Sequence, residues 1–177
     1  HVPYIHKDVV TVEQFERLLD EWVLKRYRDY PILYLGFHGK PGELYVEKKC
    51  RLPHNGTVGL DWLESQLAGK CKGRIVFFAS CATLDVHGNR LNRFLSKTGA
   101  LAICGYRAEV DWLMAGVFEA LVLSTMQQNS FSVGGVRAMI RKLESQAGGL
   151  RRQLRFRWVI RNGAGHPVAL QRGGSRA

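Results

Sequence analysis

A thiol and an imidazole held side by side can carry out nucleophilic chemistry, and two short phrases of this chain offer that pair: Phe37-His38-Gly39 and Ser80-Cys81-Ala82-Thr83. The thiolate is the attacking form of cysteine, and a neighbouring imidazole favours it and carries its proton. Each phrase follows an apolar run, residues 31–37 before the histidine and 74–79 before the cysteine. Placed as parallel neighbours in one sheet, these runs deliver His38 and Cys81 to the same edge. That edge, beyond the carboxyl ends of the strands, is where open α/β sheets hold their chemistry. Gly39 has no side chain, so its N–H can approach a substrate carbonyl closely. With the N–H of Cys81 it makes a candidate oxyanion hole. The plain alternative is that two strands end in His and Cys by chance, with the cysteine packed as a small hydrophobe.

The elements that must position this pair are read from periodicity. Residues 4–10 read as a short strand or an extended lead-in. Residues 11–27 read as a helix, with Thr11 and Gln14 as a capping box and Phe15, Leu18, Leu19, Trp22 and Val23 on one face. Residues 39–42 form a turn by composition, and 43–46 with 50–52 a hairpin. Short helices are expected at 60–67 and 89–97, and a third apolar strand at 100–104. After Asp111, the spacing of Leu113, Val117, Phe118, Leu121 and Val122 predicts a long helix. Residues 132–146 predict another, stopped by Gly148-Gly149. Residues 154–160 alternate Arg with apolar residues, as an edge or half-exposed strand does. Strands alternating with helices imply an α/β domain with a largely parallel sheet. Trp22, Trp62, Trp112 and Trp158 fall in these patterns and read as core.

The 177 residues suit one domain with a real core. We divide them into a domain over 1–163 and a basic Gly- and Arg-rich tail over 164–177. No apolar run approaches the ~20 residues of a membrane helix. No charged-then-apolar leader is visible, and the start at His1 leads us to expect a piece of something longer. Four cysteines (Cys50, Cys71, Cys81, Cys104) make no disulfide framework and point to reduced thiols in the cytoplasm. A zinc site from Cys50, His54 and Cys71 lacks the paired Cys-x-x-Cys spacing. No phosphate-cradling glycine loop or cofactor fingerprint is present, so neither cofactor nor metal is expected. The formal charge is +11. From Arg137 on, Arg141, Lys142, Arg151, Arg152, Arg155, Arg157, Arg161, Arg172 and Arg176 face only Glu144. Such a stretch is a solvated basic face, or it holds nucleic acid, an anionic nucleotide or an acidic partner.

Several phrases occur in a telling order: His38-Gly39, then Ala79-Ser80-Cys81-Ala82-Thr83, then Gly99-Ala100 before a strand, then Gly105-Tyr106, then Val110-Asp111, with Phe118 in the helix that follows. Over about 31–123 the chain resembles the caspase-like cysteine peptidases, most closely the CHAT branch related to separase. The resemblance implies a three-layer sandwich, a mostly parallel sheet with helices on both faces. It implies Cys81 as nucleophile, His38 as proton-transfer partner and Gly39 as an oxyanion-hole amide. Asp111 becomes the candidate for the pocket that reads the residue before the cut, with Asp85 and Glu109 behind it. The competing reading of Asp111 is a helix N-cap. The chain departs from the family in two ways. The caspase phrase Gln-Ala-Cys-Arg-Gly is absent. Ala79 stands where several basic-specific relatives carry an acid. The first strand of that fold is also not evident before Thr11, so part of the domain is expected to be absent.

The leading expectation is therefore a cysteine endopeptidase acting on a protein substrate and activated by a partner or an anionic ligand. Bacterial relatives of this kind serve in antiviral defence, for example by cutting a gasdermin-like pore former. The rival is a caspase-like binding module whose basic surface holds nucleic acid, an anionic nucleotide or a protein. An acyltransferase or thioesterase using the same pair ranks last.

Overall fold

In a computed structural model of the chain, residues 4–46, 56–161 and 167–169 are described. Three strands run parallel: β1 (Ile32–Gly36), β5 (Ile75–Ala79) and β6 (Ala102–Tyr106). Then β7 (Phe156–Arg161) pairs antiparallel with β6, and β8 (Pro167–Ala169) antiparallel with β7. The order across this sheet is β1-β5-β6-β7-β8. A second, antiparallel sheet of three short strands grows from the end of β1: β2 (His38–Lys40), β3 (Glu43–Tyr45) and β4 (Thr57–Gly59).

Two apolar clusters sit on opposite faces of the large sheet. On one face Leu35, Val76, Phe78, Ile103 and Val159 pack with α1 (Val12–Trp22), α2 (Leu60–Gln66) and α3 (Gly88–Thr98). On the other, Phe77, Cys104, Tyr106, Phe156 and Trp158 pack with α4 (Trp112–Gln127) and α5 (Val133–Gln153). Helices thus cover both faces of a mostly parallel sheet, which explains why β5 and β6 are apolar almost throughout.

Local chemistry sets the helix starts. Thr11 accepts from the Gln14 N–H at 3.1 Å while Gln14 Oε1 accepts from the Val10 N–H at 2.9 Å, completing the capping box. Ser132 and Asp111 cap α5 and α4 by accepting from the Gly135 and Met114 N–H groups. Gly99, at φ 79°, closes α3 in the left-handed conformation that glycine adopts freely.

The structure corrects several sequence expectations. The first helix stops at Trp22, and Lys25–Tyr27 is a separate 3-10 turn. Residues 4–10 form no strand, and β1 has no strand on its outer side among the described residues. The third strand begins at Ala102 rather than 100. The first helical run of α5 ends at Ala147, at φ −145°, beside the Gly148-Gly149 pair expected to stop it, and a second, unexpected run continues across the bend to Gln153. Glu144 lies before that bend and grips Arg151 and Arg152 beyond it, at 2.6 and 2.8 Å, so the two halves stay joined. Residues 156–161 are not an edge strand but lie inside the sheet between β6 and β8. The residues expected to complete a hairpin, 50–52, lie outside the described residues, and β3 pairs with β2 and β4 instead.

Candidate active site

Register brings the two phrases together. Gly36 at the end of β1 is the partner of Ala79 at the end of β5. His38 and Cys81 each follow two residues later, so both leave the sheet at matching positions of adjacent parallel strands, which lie about 4.8 Å apart. The imidazole of His38 is exposed and the Cys81 thiol is half-buried.

The turn carrying the thiol is held on every side. Ala82 has φ 53°, a left-handed conformation that costs a residue with a β-carbon on the order of 1 kcal/mol. Its N–H donates to Ala108 O at 2.9 Å, and the Asp85 N–H returns to Ala82 O at 2.7 Å. Ser80 and Thr83, both buried, join hydroxyls at 2.8 Å. The single Thr83 hydroxyl proton is shared between Glu43 O at 3.3 Å and Cys81 O at 3.4 Å, and Thr83 O accepts from the Gly42 N–H at 3.1 Å. These bonds tie the cysteine turn to the small sheet that carries His38.

Gly39 sits on this turn. A β-carbon there would meet Thr83 Oγ1, Cys81 O at 2.7 Å and the Ser80 β-carbon at 3.0 Å. Close backbone approach therefore requires glycine at this position. Asp111 is exposed and caps α4, accepting from the Met114 N–H at 2.9 Å. That role accounts for its residue type at the start of the helix. Asp85 pairs with Arg107 at 3.4 Å, and Glu109 is exposed.

The other described thiols differ in kind. Burial pushes Cys71 up to about 12. It holds Cys104, inside β6, well above the ordinary thiol range, with Glu119 adding to the shift. Both stay protonated and enclosed. Cys50 and His54, which with Cys71 lack zinc-site spacing, lie outside the described residues, and no group of three metal-ligating side chains occurs among those described.

Sequence reasoning named the Ser-Cys-Ala-Thr phrase but gave Ser80 and Thr83 no task. It also missed Arg157. This side chain is only 9% exposed and donates to Leu84 O and Val86 O, each at 3.3 Å, just beyond the cysteine turn. An arginine on an alternating strand looks solvated, and only the tertiary fold shows what it reaches. Trp112 corrects the opposite way: expected in the core, it is 81% exposed, with Leu113 and Val117 beside it on α4. The basic stretch is partly engaged within the chain, since Arg151 and Arg152 bind Glu144 while Arg137 and Arg141 are exposed.

The fold and this rim define a mixed α/β protein with a cysteine and a histidine at the carboxyl edge of its central sheet. No helix among the described residues is long and apolar enough to cross a membrane. The DUF6642 family, described as a family of unknown function, matches residues 1–159, and the chain belongs to it. No curated protein matches the chain.

Proposed function

We propose that this chain is a caspase-like cysteine peptidase acting on a protein substrate. The observation that carries the reading is the matched exit of His38 and Cys81 from register-paired strands, with the thiol on a tightly bonded turn. Such a turn fixes the nucleophile before substrate arrives, which lowers the entropic part of the barrier.

The Cys81 sulfur attacks the peptide carbonyl carbon as the thiol proton passes to His38. The carbonyl oxygen gains the negative charge and is met by the N–H groups of Gly39 and Cys81. The tetrahedral species collapses, the C–N bond breaks, and His38 returns the proton to the leaving amine. A thioester remains on Cys81. His38 then takes a proton from water, the hydroxide attacks the thioester, and the C–S bond breaks. The products are a new carboxyl terminus, a new amino terminus and the restored thiol.

The test is cleavage of a proteome-derived peptide library, read by mass spectrometry. Cleavage by the wild-type chain that is lost in both Cys81→Ala and His38→Ala supports the peptidase. Unchanged cleavage in Cys81→Ala, or none in the wild type under reducing conditions, removes it.

A further inference from the structure

We infer that Arg157 is a positioning residue for Cys81, acting through the loop that follows the cysteine turn. The inference rests on the peptidase reading for its functional meaning and on the geometry of β6, β7 and the loop for its physical content.

The loop is drawn onto the sheet at one position. Arg157 on β7 is the register partner of Gly105 on β6. Gly105 has φ 158°, and a β-carbon there would run into Phe78 O at 2.5 Å and the Leu84 side chain at 3.2 Å. Leu84 occupies the space a side chain on β6 would fill, so the loop descends until its carbonyls come within reach of the next strand. Arg157 Nη1 then donates to Leu84 O and Val86 O. The Leu84 N–H donates to Tyr106 O at 3.0 Å, and Asp85 pairs with Arg107. Three consecutive residues, 84–86, are fastened from β6 and β7.

Arg157 is an uncommon choice for mere packing. Its guanidinium is buried with two backbone carbonyls as hydrogen-bond acceptors, and its Nε is buried without a partner among the described residues. Burial and the neighbouring Arg107 both work against its charge, while Asp85 favours it. A buried cation held by carbonyls is costly, and a hydrophobic side chain of similar volume packs at least as well for stability. What a cation supplies here is a fixed direction for two carbonyls. That direction reaches the nucleophile, because the Asp85 N–H to Ala82 O bond links the loop to the left-handed residue next to Cys81. With the loop released, Ala82 relaxes toward an unstrained backbone and the neighbouring Cys81 shifts with it.

The experiment is a double-mutant cycle on Arg157 and His38, read as the rate of Cys81 alkylation by iodoacetamide at pH 7 with the modified cysteine mapped. Alkylation needs no substrate, so a failure to cleave peptides sinks the peptidase and leaves this test standing. Arg157→Met is expected to slow Cys81 alkylation by roughly tenfold to a hundredfold, the range a small misplacement produces. Adding His38→Ala in that background is expected to cost little more. Arg157→Lys, which keeps a donor, restores part of the rate. Where peptide cleavage is measurable, the loss in Arg157→Met falls on kcat with KM little changed. Should Arg157→Met fail to fold, the same cycle with Arg157→Lys decides, since it predicts the same non-additivity at smaller size. A folded variant with the wild-type rate, or losses from Arg157 and His38 that simply multiply, overturns the inference.

Discussion

Two buried arginines stand at opposite ends of the central sheet, and they perform different work. Arg74, at the amino end of β5, is 7% exposed; its guanidinium lies 4.3 Å over the Trp22 ring and donates to Trp22 O at 2.5 Å. It fastens the last residue of α1, where a helix leaves carbonyls unpaired. Arg157, at the carboxyl end, also donates to carbonyls, but those belong to the loop beside the candidate nucleophile. Desolvation lowers the proton affinity of both. The same side-chain chemistry thus secures a helix end at one edge of the sheet and holds the loop after Cys81 at the other.

The widest separation between the two edges comes from exchanging each arginine for methionine. Arg74→Met is expected to cost about 2–3 kcal/mol, the scale of a charge-assisted hydrogen bond plus its ring contact, measured by urea unfolding. Its Cys81 alkylation rate at 25 °C stays at the wild-type value while the chain remains folded. Arg157→Met shows the reverse emphasis, a large loss of Cys81 reactivity for a smaller loss of stability. Equal effects of both substitutions on Cys81 would erase the distinction.

Alkaline pH tests the amino edge. Cys71, whose O accepts from the Arg74 N–H at 3.0 Å, is pushed from 9.0 up to about 12, chiefly by burial, and Cys104 moves the same way. The folded chain keeps these protons where the unfolded chain sheds them. Their contribution is therefore fully present below pH 9 and is lost as pH rises toward 12. The melting temperature is expected to fall across that window, and Cys71→Ala is expected to flatten the fall. A melting temperature insensitive to pH there contradicts the enclosed-thiol assignment.

The smallest effect separates two roles at the carboxyl edge. Asp111→Ala is expected to cost about 1 kcal/mol through the lost cap of α4, and Asp111→Asn much less, because asparagine caps nearly as well. If Asp111 reads a basic substrate residue, Asp111→Asn abolishes that preference while leaving stability intact. If it serves as a cap alone, the cleavage-site profile of Asp111→Asn matches the wild type.

What the sequence made legible was the part governed by period and local chemistry. The apolar runs before His38 and Cys81, the Thr11 capping box and the Gly99 stop follow from residues close together in the chain. The rest depended on distant partners. Alternation in β7 reads as one wet face until Arg157 meets the carbonyls of Leu84 and Val86. The break beside Gly148-Gly149 is legible, but not the second helical run that Glu144 ties back through both arginines beyond it. Trp112 reads as core because α4 is apolar around much of its circumference, and only the sheet decides which side is covered. At the site the two strand ends that carry His38 and Cys81 were legible. Their support was not, because Ser80, Thr83, Gly42 and Glu43 act through contacts between two sheets that no spacing encodes.

The central claim is that His38 and Cys81 meet at one rim and act on each other. It is tested most directly by the rate at which iodoacetamide alkylates Cys81 at pH 7 in the wild-type chain and in His38→Ala. We predict rapid labelling of Cys81 ahead of Cys71 and Cys104, falling at least tenfold when the imidazole is removed. Equal rates in the two proteins would contradict the claim.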